Sequence, residues 1–305
     1  MKVTLLCKID FANVASILAE SFRKVGINAI AFSLKRHKFK YTKQATVIER
    51  DNAKVEVEKS DVVVFVHSLF IDTGVDLGEK IVAVYHTGSQ YRKNAREVNQ
   101  VFNKIVDVSF CGGDVLNMGA KNEMWVQPPI DTEFIKPVYK TDFSKFIIGH
   151  FPSGGAKKGC AIINEVLQRV RKRNFEFNYN LNHVPWTYNL KRMSECDIYI
   201  EDMHDKQGDK PLYVFGMQAL EAACLGKVVC TRFPMFGEYE KTFGPCSLIA
   251  TDTPEILQAK IEDLLSLSNE KFVELQKRTR KWVEDQHSYE VVGNRFKKIF
   301  EEMRK

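Results

Sequence analysis

Two segments of the chain carry residue types at spacings suited to holding a diphosphate. The first is His150–Gly159 (HFPSGGAKKG), where Ser153, Gly154 and Gly155 precede the cations Lys157 and Lys158 and a helical pattern follows. Glycines let backbone N–H groups approach an anion, the start of a helix offers unpaired amides, and an ammonium group adds a full charge. The segment is not the G-x-x-x-x-G-K-[ST] phosphate loop, and the G-x-G-x-x-G dinucleotide fingerprint is absent from the whole chain. The second segment is Phe215–Val229 (FGMQALEAACLGKVV), in which Gly216 opens a helix and Glu221 sits beside Ala222 and Ala223. Burying such a carboxylate without a partner is costly. It therefore stays exposed, joins a structural ion pair, or accepts two hydroxyls of a ribose.

Groups of this kind need a frame, and the chain supplies two. Lys2–Cys7, Asn28–Phe32, Asp61–His67, Lys80–His86, Val106–Phe110 and Met124–Val126 read as strands. Helical patterns intervene, one on Val14, Ile17, Leu18 and Phe22 before Gly26, another over Ala95–Lys104. Gln127–Pro137 (QPPIDTEFIKP) breaks the alternation with three prolines, which places a domain boundary near 138. The pattern then restarts. Strands are expected at Phe146–Phe151, Phe175–Tyr179, Asp197–Ile200 and Lys227–Cys230, and helices at Lys158–Arg171, Phe215–Leu225 and from Thr253 to Leu267. Helical stretches over 269–286 and 289–304 finish the chain, and the apolar positions of the last suit docking on the first half. Buried parallel strands alternating with helices imply an α/β protein of two Rossmann-like domains, 1–138 and 139–288, with residues 289–305 crossing back. Ligands of open α/β sheets lie beyond the strand carboxyl ends. That singles out Lys8–Asn13, His67–Ser68 and His86–Arg92 in the first half, and His150–Gly159 and Glu201–Gly216 in the second.

Composition narrows the classes. A chain of 305 residues with 44% hydrophobic and 28% charged content is an ordinary globular protein of about two domains. No apolar run reaches the ~18 residues of a membrane span, and the opening run Met1–Cys7 is too short for a signal-peptide core. Seven cysteines without a C-x-x-C pair read as buried thiols in a reducing compartment, hence a cytoplasmic protein. The net charge of +6 is modest, and its densest cluster, Lys35–Lys43 (KRHKFKYTK), interleaves Phe39 and Tyr41 with cations. That stretch is either a solvated loop or a contact for an anionic acceptor or a membrane surface.

The two diphosphate-type segments, at their separation, resemble the second domain of the retaining GT-B glycosyltransferases of family 4. Lys158-Gly159 matches the lysine-glycine pair that opens the first helix of that domain. Phe215, Gly216, Glu221, Ala222, Gly226, Lys227 and Val229 match its F-G-x-x-x-x-E-A-x-x-x-G-K-x-V run. Ile130, Asp131 and Pro137 fit the interdomain connection, and His86 in VYHT resembles the histidine facing the donor sugar. The resemblance implies a GT-B fold, two Rossmann-like domains with parallel sheets facing a central cleft. The first would be the acceptor domain and the second the nucleotide-sugar domain. It also implies transfer of a hexose, with retention, from GDP-mannose or UDP-glucose to an unknown glycan, protein or lipid acceptor. His86 and Lys158 would be catalytic. Ser153, Gly154, Gly155, Lys157, Lys158, Tyr213, Phe215, Gly216 and Glu221 would bind the donor, with Lys158 on the diphosphate and Glu221 on the ribose. Three positions depart from the pattern. Tyr213 stands where the first glutamate of an E-x7-E pair belongs, with Glu201, Asp202 or Asp209 as substitutes; no arginine precedes the lysines; and Lys8–Ala15 lacks glycine.

No cofactor is expected and no metal, since the chain has no D-x-D. Nucleic acid is not an expected partner, while peripheral membrane contact and a homodimer are compatible with the sequence. A donor-binding protein without turnover and a nucleotide-sugar epimerase are the alternatives on the same scaffold.

Overall fold

The computed structural model describes residues 1–152, 158–172, 174–204, 206–207, 210–211 and 214–305. Contacts divide the chain into two compact units, Met1–Asp131 with His287–Lys305, and Thr132–Gln286.

In the first unit the elements run β1 (Lys2–Ile9), α1 (Val14–Lys24), β2 (Asn28–Lys35), β3 (Thr46–Val47), α2 (Arg50–Glu58), β4 (Val62–Val66), β5 (Ile81–His86), α3 (Gly88–Phe102), β6 (Val108–Cys111) and β7 (Glu123–Trp125). The strands form one parallel sheet in the order β3-β2-β1-β4-β5-β6-β7. The near-continuous apolar runs have a direct cause: both faces of the sheet are covered. Val3, Leu5, Cys7, Val62, Val64, Val66, Ala83 and Tyr85 point into one core, while Leu6, Val63, Phe65, Val82 and Val84 point into another. Ala53, Val57 and Phe102 cover the second face. The first is covered by α1 and by the chain's last helix, Tyr289–Met303, whose Phe296 ring lies 5.1 Å from that of Phe22 and 4.6 Å from that of Phe110. These two helices approach closely at Gly293, where an added Cβ would fall 2.4 Å from the Ser21 carbonyl oxygen. The Ser21 hydroxyl also donates to the Tyr289 carbonyl at 2.6 Å.

The second unit continues with β8 (Phe146–His150), α4 (Cys160–Arg169), β9 (Phe175–Tyr179), α5 (Trp186–Ser194), β10 (Ile198–Ile200), the hairpin β11 (Lys206–Gln207) and β12 (Lys210–Pro211), α6 (Met217–Cys224), β13 (Val228–Thr231), α7 (Phe236–Phe243), β14 (Ile249–Ala250), α8 (Pro254–Leu264) and α9 (Asn269–His287); the last helix is α10. Its main sheet is parallel, in the order β14-β13-β10-β8-β9. Thr253 caps α8 by accepting the Ile256 amide at 3.2 Å. The units divide at Asp131/Thr132, earlier than the proline-rich stretch suggested, because buried Arg280 fixes that stretch to the second unit. Its guanidinium donates to the carbonyls of Thr132, Ile135 and Cys224 at 2.6–2.7 Å.

Both sheets reverse their strand order once, between β1 and β4 in the first unit and between β8 and β10 in the second. Loops leaving a sheet at such a reversal diverge to opposite faces and open a crevice at the strand carboxyl ends. Among the described residues no helix is long and apolar enough to cross a membrane. All seven thiols are free, and five are buried.

Candidate functional site

At the second unit's reversal point, α4 starts directly after Gly159, and β10 is followed by Glu201 and Asp202. Gly159 caps α4 in the left-handed region, with φ 69° and ψ 29°. A Cβ there would lie 2.8 Å from the Met203 carbonyl carbon and 3.0 Å from the His204 amide nitrogen, so glycine is required both for its conformation and for the close approach. The packing brings Lys158 over the end of β10, where its ammonium bonds Glu201 Oε1 and lies 3.0 Å from Asp202 Oδ2. Glu201 is fixed from β13 by the Thr231 hydroxyl at 3.0 Å, and Asp202 accepts the His204 amide at 2.6 Å.

One ammonium thus meets two buried carboxylates. Burial alone would lower the Lys158 pKa, but Glu201 and Asp202 outweigh it and raise the pKa above the usual lysine value. Burial pushes the Asp202 carboxyl upward against the pull of Lys158. Gly216, the N-cap of α6, keeps this cluster open on one flank: a Cβ there would stand 3.0 Å from Glu201 Oε1 and 3.6 Å from Lys158 Nζ. An ammonium held this way can stabilise charge on a departing oxyanion, and the carboxylates can accept hydroxyl hydrogens.

Glu221 lies on α6 and is only 7% exposed. Its Oε1 accepts the Trp186 indole N–H at 2.7 Å, and the indole stacks on Phe134 at 5.6 Å. Burial pushes the Glu221 pKa up to about 7, with the Trp186 hydrogen bond opposing. The Gln218 side chain on the same helix donates to the Phe151 carbonyl at 2.8 Å, tying α6 to the end of β8. Phe215 is buried against Phe233, Tyr239 and Trp282, so its ring packs the core. Ser153, Gly154, Gly155, Lys157 and Tyr213 lie outside the described residues.

The first unit has its own cluster at the ends of β1, β4 and β5. His86, expected to face the donor sugar, lies at the end of β5, and its Nε2 has no hydrogen-bond partner. The ring is fully buried, Nδ1 pairs with the Ser68 hydroxyl at 2.8 Å, and Tyr91 stacks on it at 3.9 Å and 14°. Burial lowers its pKa to about 3, so the imidazole is neutral. The histidine nearer the surface is His67. Its Nδ1 pairs with the Thr87 hydroxyl at 2.8 Å, and its Nε2 is 3.5 Å from Asp10 Oδ1. Asp10 in turn accepts the amides of Ala15 and Ser16 at 2.7 and 3.0 Å, anchoring the start of α1.

No protein-family model matches the chain, and no curated protein matches it in sequence. Solved structures do match along the whole chain. HepE of Anabaena, in complex with UDP and glucose, superposes with a TM-score of 0.70 at 12% identity, covering 99% of this chain and 100% of that one. An alpha-glucosyltransferase in complex with UDP and a 13-mer DNA containing a HMU base gives 0.68 at 14% identity, covering 100% and 99%. A glycosyltransferase from Rickettsia africae gives 0.62 at 12% identity, covering 99% and 98%. The fold is GT-B.

Identities this low establish the GT-B architecture, and chemistry has to be argued from side chains. Within the second GT-B unit the structure brings Lys158 and Gly216 together around Glu201 and places Glu221 on the helix that Gly216 caps. Sequence reasoning named Glu201 and Asp202 only as substitutes for a missing glutamate and overlooked Trp186. A tryptophan directly after a proline, at the start of a helix, was the available signal: a buried indole N–H needs an acceptor. Asp10 and His67 fell inside singled-out segments without individual roles.

Proposed function

We propose that the chain is a glycosyltransferase that moves a hexose from a nucleotide-diphosphate sugar, with UDP-glucose the first donor to test and GDP-mannose the second. The observation that carries this reading is the Lys158–Glu201–Asp202 cluster at the second sheet's reversal point, flanked by Gly216. In this reading the diphosphate lies over the start of α4, beside Lys158. Glu221 accepts the ribose hydroxyls, and Glu201 or Asp202 accepts sugar hydroxyls in place of the glutamate expected at Tyr213. The second unit is the donor domain and the first the acceptor domain. Further support comes from neighbours solved with UDP-glucose, HepE of Anabaena and the alpha-glucosyltransferase.

The bond from the anomeric carbon to the diphosphate oxygen breaks as the bond to the acceptor oxygen forms on the same face. The acceptor proton passes to the leaving diphosphate oxygen, and configuration is retained. Lys158 stabilises the charge that grows on that oxygen, so its contribution is larger in the transition state than in the bound donor. Lysine charge and helix amides take the role a divalent ion has elsewhere, and activity should survive EDTA.

Calorimetry with UDP-glucose, GDP-mannose and UDP tests the reading, followed by turnover of labelled donor and NMR of the anomeric configuration of the product. Absence of binding by all three nucleotides would end it. One observation favours a second reading: the Lys158 ammonium is already held by two carboxylates. Donor binding without transfer or hydrolysis would identify a binding protein without turnover.

A further inference from the structure

The first unit's reversal point holds unfilled hydrogen-bonding capacity. Asn13 and His67 are each only 8% exposed, yet Asn13 Oδ1 has no hydrogen-bond partner and His67 Nε2 makes no hydrogen bond, Asp10 Oδ1 standing 3.5 Å away. Unpaired buried polar atoms are rare enough to need a reason. Both sit on backbone in the left-handed region, at φ 60° and 67°, each beside a second such residue, Ala12 at 51° and Ser68 at 59°. The loops after β1 and β4 therefore hold strained, unsatisfied groups at the crevice where an open α/β sheet takes its ligand.

Next to them stands Phe11, 52% exposed, its ring edge-on to His37 at 5.6 Å and to His67 at 5.7 Å. His37 also meets Phe39 at 4.6 Å and Tyr41 at 5.6 Å, so the aromatic side chains after β2 gather on the same histidine. Burial lowers the His37 pKa, with Asp10 opposing. Residues 35–43 carry five cations, of which Lys43 faces Asp131 at 3.8 Å, and no acidic residue occurs between Glu20 and Glu49. An exposed ring offers an apolar face, buried carbonyl and imidazole atoms offer directed hydrogen bonds, and the cations offer a counter-charge. Asn13 Oδ1 is an acceptor and needs a donor. A hydroxyl supplies one, whereas phosphodiester oxygens and acyl chains do not.

We propose that this crevice is a subsite for a sugar bearing an anionic group. Its ring lies on Phe11, its hydroxyls on Asn13 and His67, and its charge against the cations of residues 35–43. Naming that sugar the acceptor rests on the glycosyltransferase reading; the binding itself does not. Saturation-transfer NMR with UDP at saturating concentration, to fill the other unit's nucleotide site, compares glucuronic acid, glucose 6-phosphate and glucose. The two acidic probes separate a carboxylate from a phosphate as the source of charge.

At least one acidic sugar should bind about tenfold more tightly than glucose, and Phe11→Ala should remove about that factor, the size of one aromatic contact. Lys38→Glu with Lys40→Glu, both at exposed positions, should erase the preference for the acidic probe, and added salt should shrink it. The affinity for UDP should be the same in all these variants, which separates this proposal from the assignment of the nucleotide site. Equal binding of glucose, or acidic-sugar binding indifferent to Phe11→Ala, would overturn the proposal. So would a short single-stranded oligonucleotide retained through the same residues while the acidic sugars fail to bind.

Discussion

Replacing Trp186 by phenylalanine removes the indole N–H and keeps an aromatic ring, and the structure says what that N–H does. The indole N–H donates to Glu221 at 2.7 Å and holds down a carboxyl that burial has already pushed up to about 7. A hydrogen bond to a charged group contributes roughly 1.5–3 kcal/mol, and one pKa unit corresponds to about 1.4 kcal/mol, so Trp186→Phe should raise Glu221 by about one to two units. At pH 7 the wild-type carboxyl is about half ionised, and in the variant about a tenth or less. If the ionised form is what accepts the ribose, affinity for UDP-glucose should fall about five- to fifty-fold at pH 7 and recover to within about fourfold by pH 8.5. UDP-glucose is the probe because its diphosphate has no proton that titrates in this window. Calorimetry from pH 6 to 8.5 gives the curve, and Glu221→Gln should bind weakly with no such pH dependence. A deficit of constant size across that range would mean that Trp186 acts through packing alone, and the electrostatic reasoning would fail. The stability sign is fixed by the same shift. The folded-state pKa lies above the unfolded value, so the favourable contribution is complete below about pH 4.5 and is lost as pH rises through about 7, a change of about 3 kcal/mol. Glu221→Gln should therefore stabilise the ligand-free protein at pH 8 and leave it unchanged at pH 4.

Three further outcomes follow from other sites. Gly159→Ala places a Cβ 2.8 Å from the Met203 carbonyl carbon on a backbone at φ 69°, and should cost about 1–3 kcal/mol, read as a lower midpoint in thermal unfolding. Lys158→Ala should lower kcat by about a hundredfold and donor affinity by much less; a higher KM at unchanged kcat would make the lysine a ground-state anchor. Phe296→Ala empties a site between Phe22 and Phe110 and should destabilise the first unit by about 3–5 kcal/mol in denaturant unfolding, while UDP affinity at the second unit stays within about twofold.

The sheets were legible because their strands are buried on both faces: runs such as Asp61–His67 leave no alternation to misread. Helices with little apolar content were not. In α2 only Ala53 and Val57 are buried hydrophobics, a single i,i+4 pair, and α3 begins at Gly88, ahead of any periodic stripe and with a kink at Asn94. The two-residue strands β3 and β14 depend on neighbours distant in sequence. Lys158, Gly159 and Gly216 were legible through a glycine-lysine spacing that local geometry makes necessary. The surroundings of His86 were not legible, for the opposite reason. Its position at the end of a strand marks a ligand crevice, but the Tyr91 ring that covers it comes from the next helix, and no local pattern announces that contact.

The placement of Phe296 and Phe300 in the first unit's core has a consequence for how the protein is made. The wall that covers one face of the first sheet is a helix that leaves the ribosome only after the whole of Thr132–Gln286. Until then Phe22, Phe110 and Tyr85 lack the rings that bury them, so the nascent first half is an incomplete sheet layer with an apolar face open to water. The second unit is contiguous and can close while synthesis continues. The first unit therefore lacks this part of its core for the time needed to translate everything between Asp131 and His287.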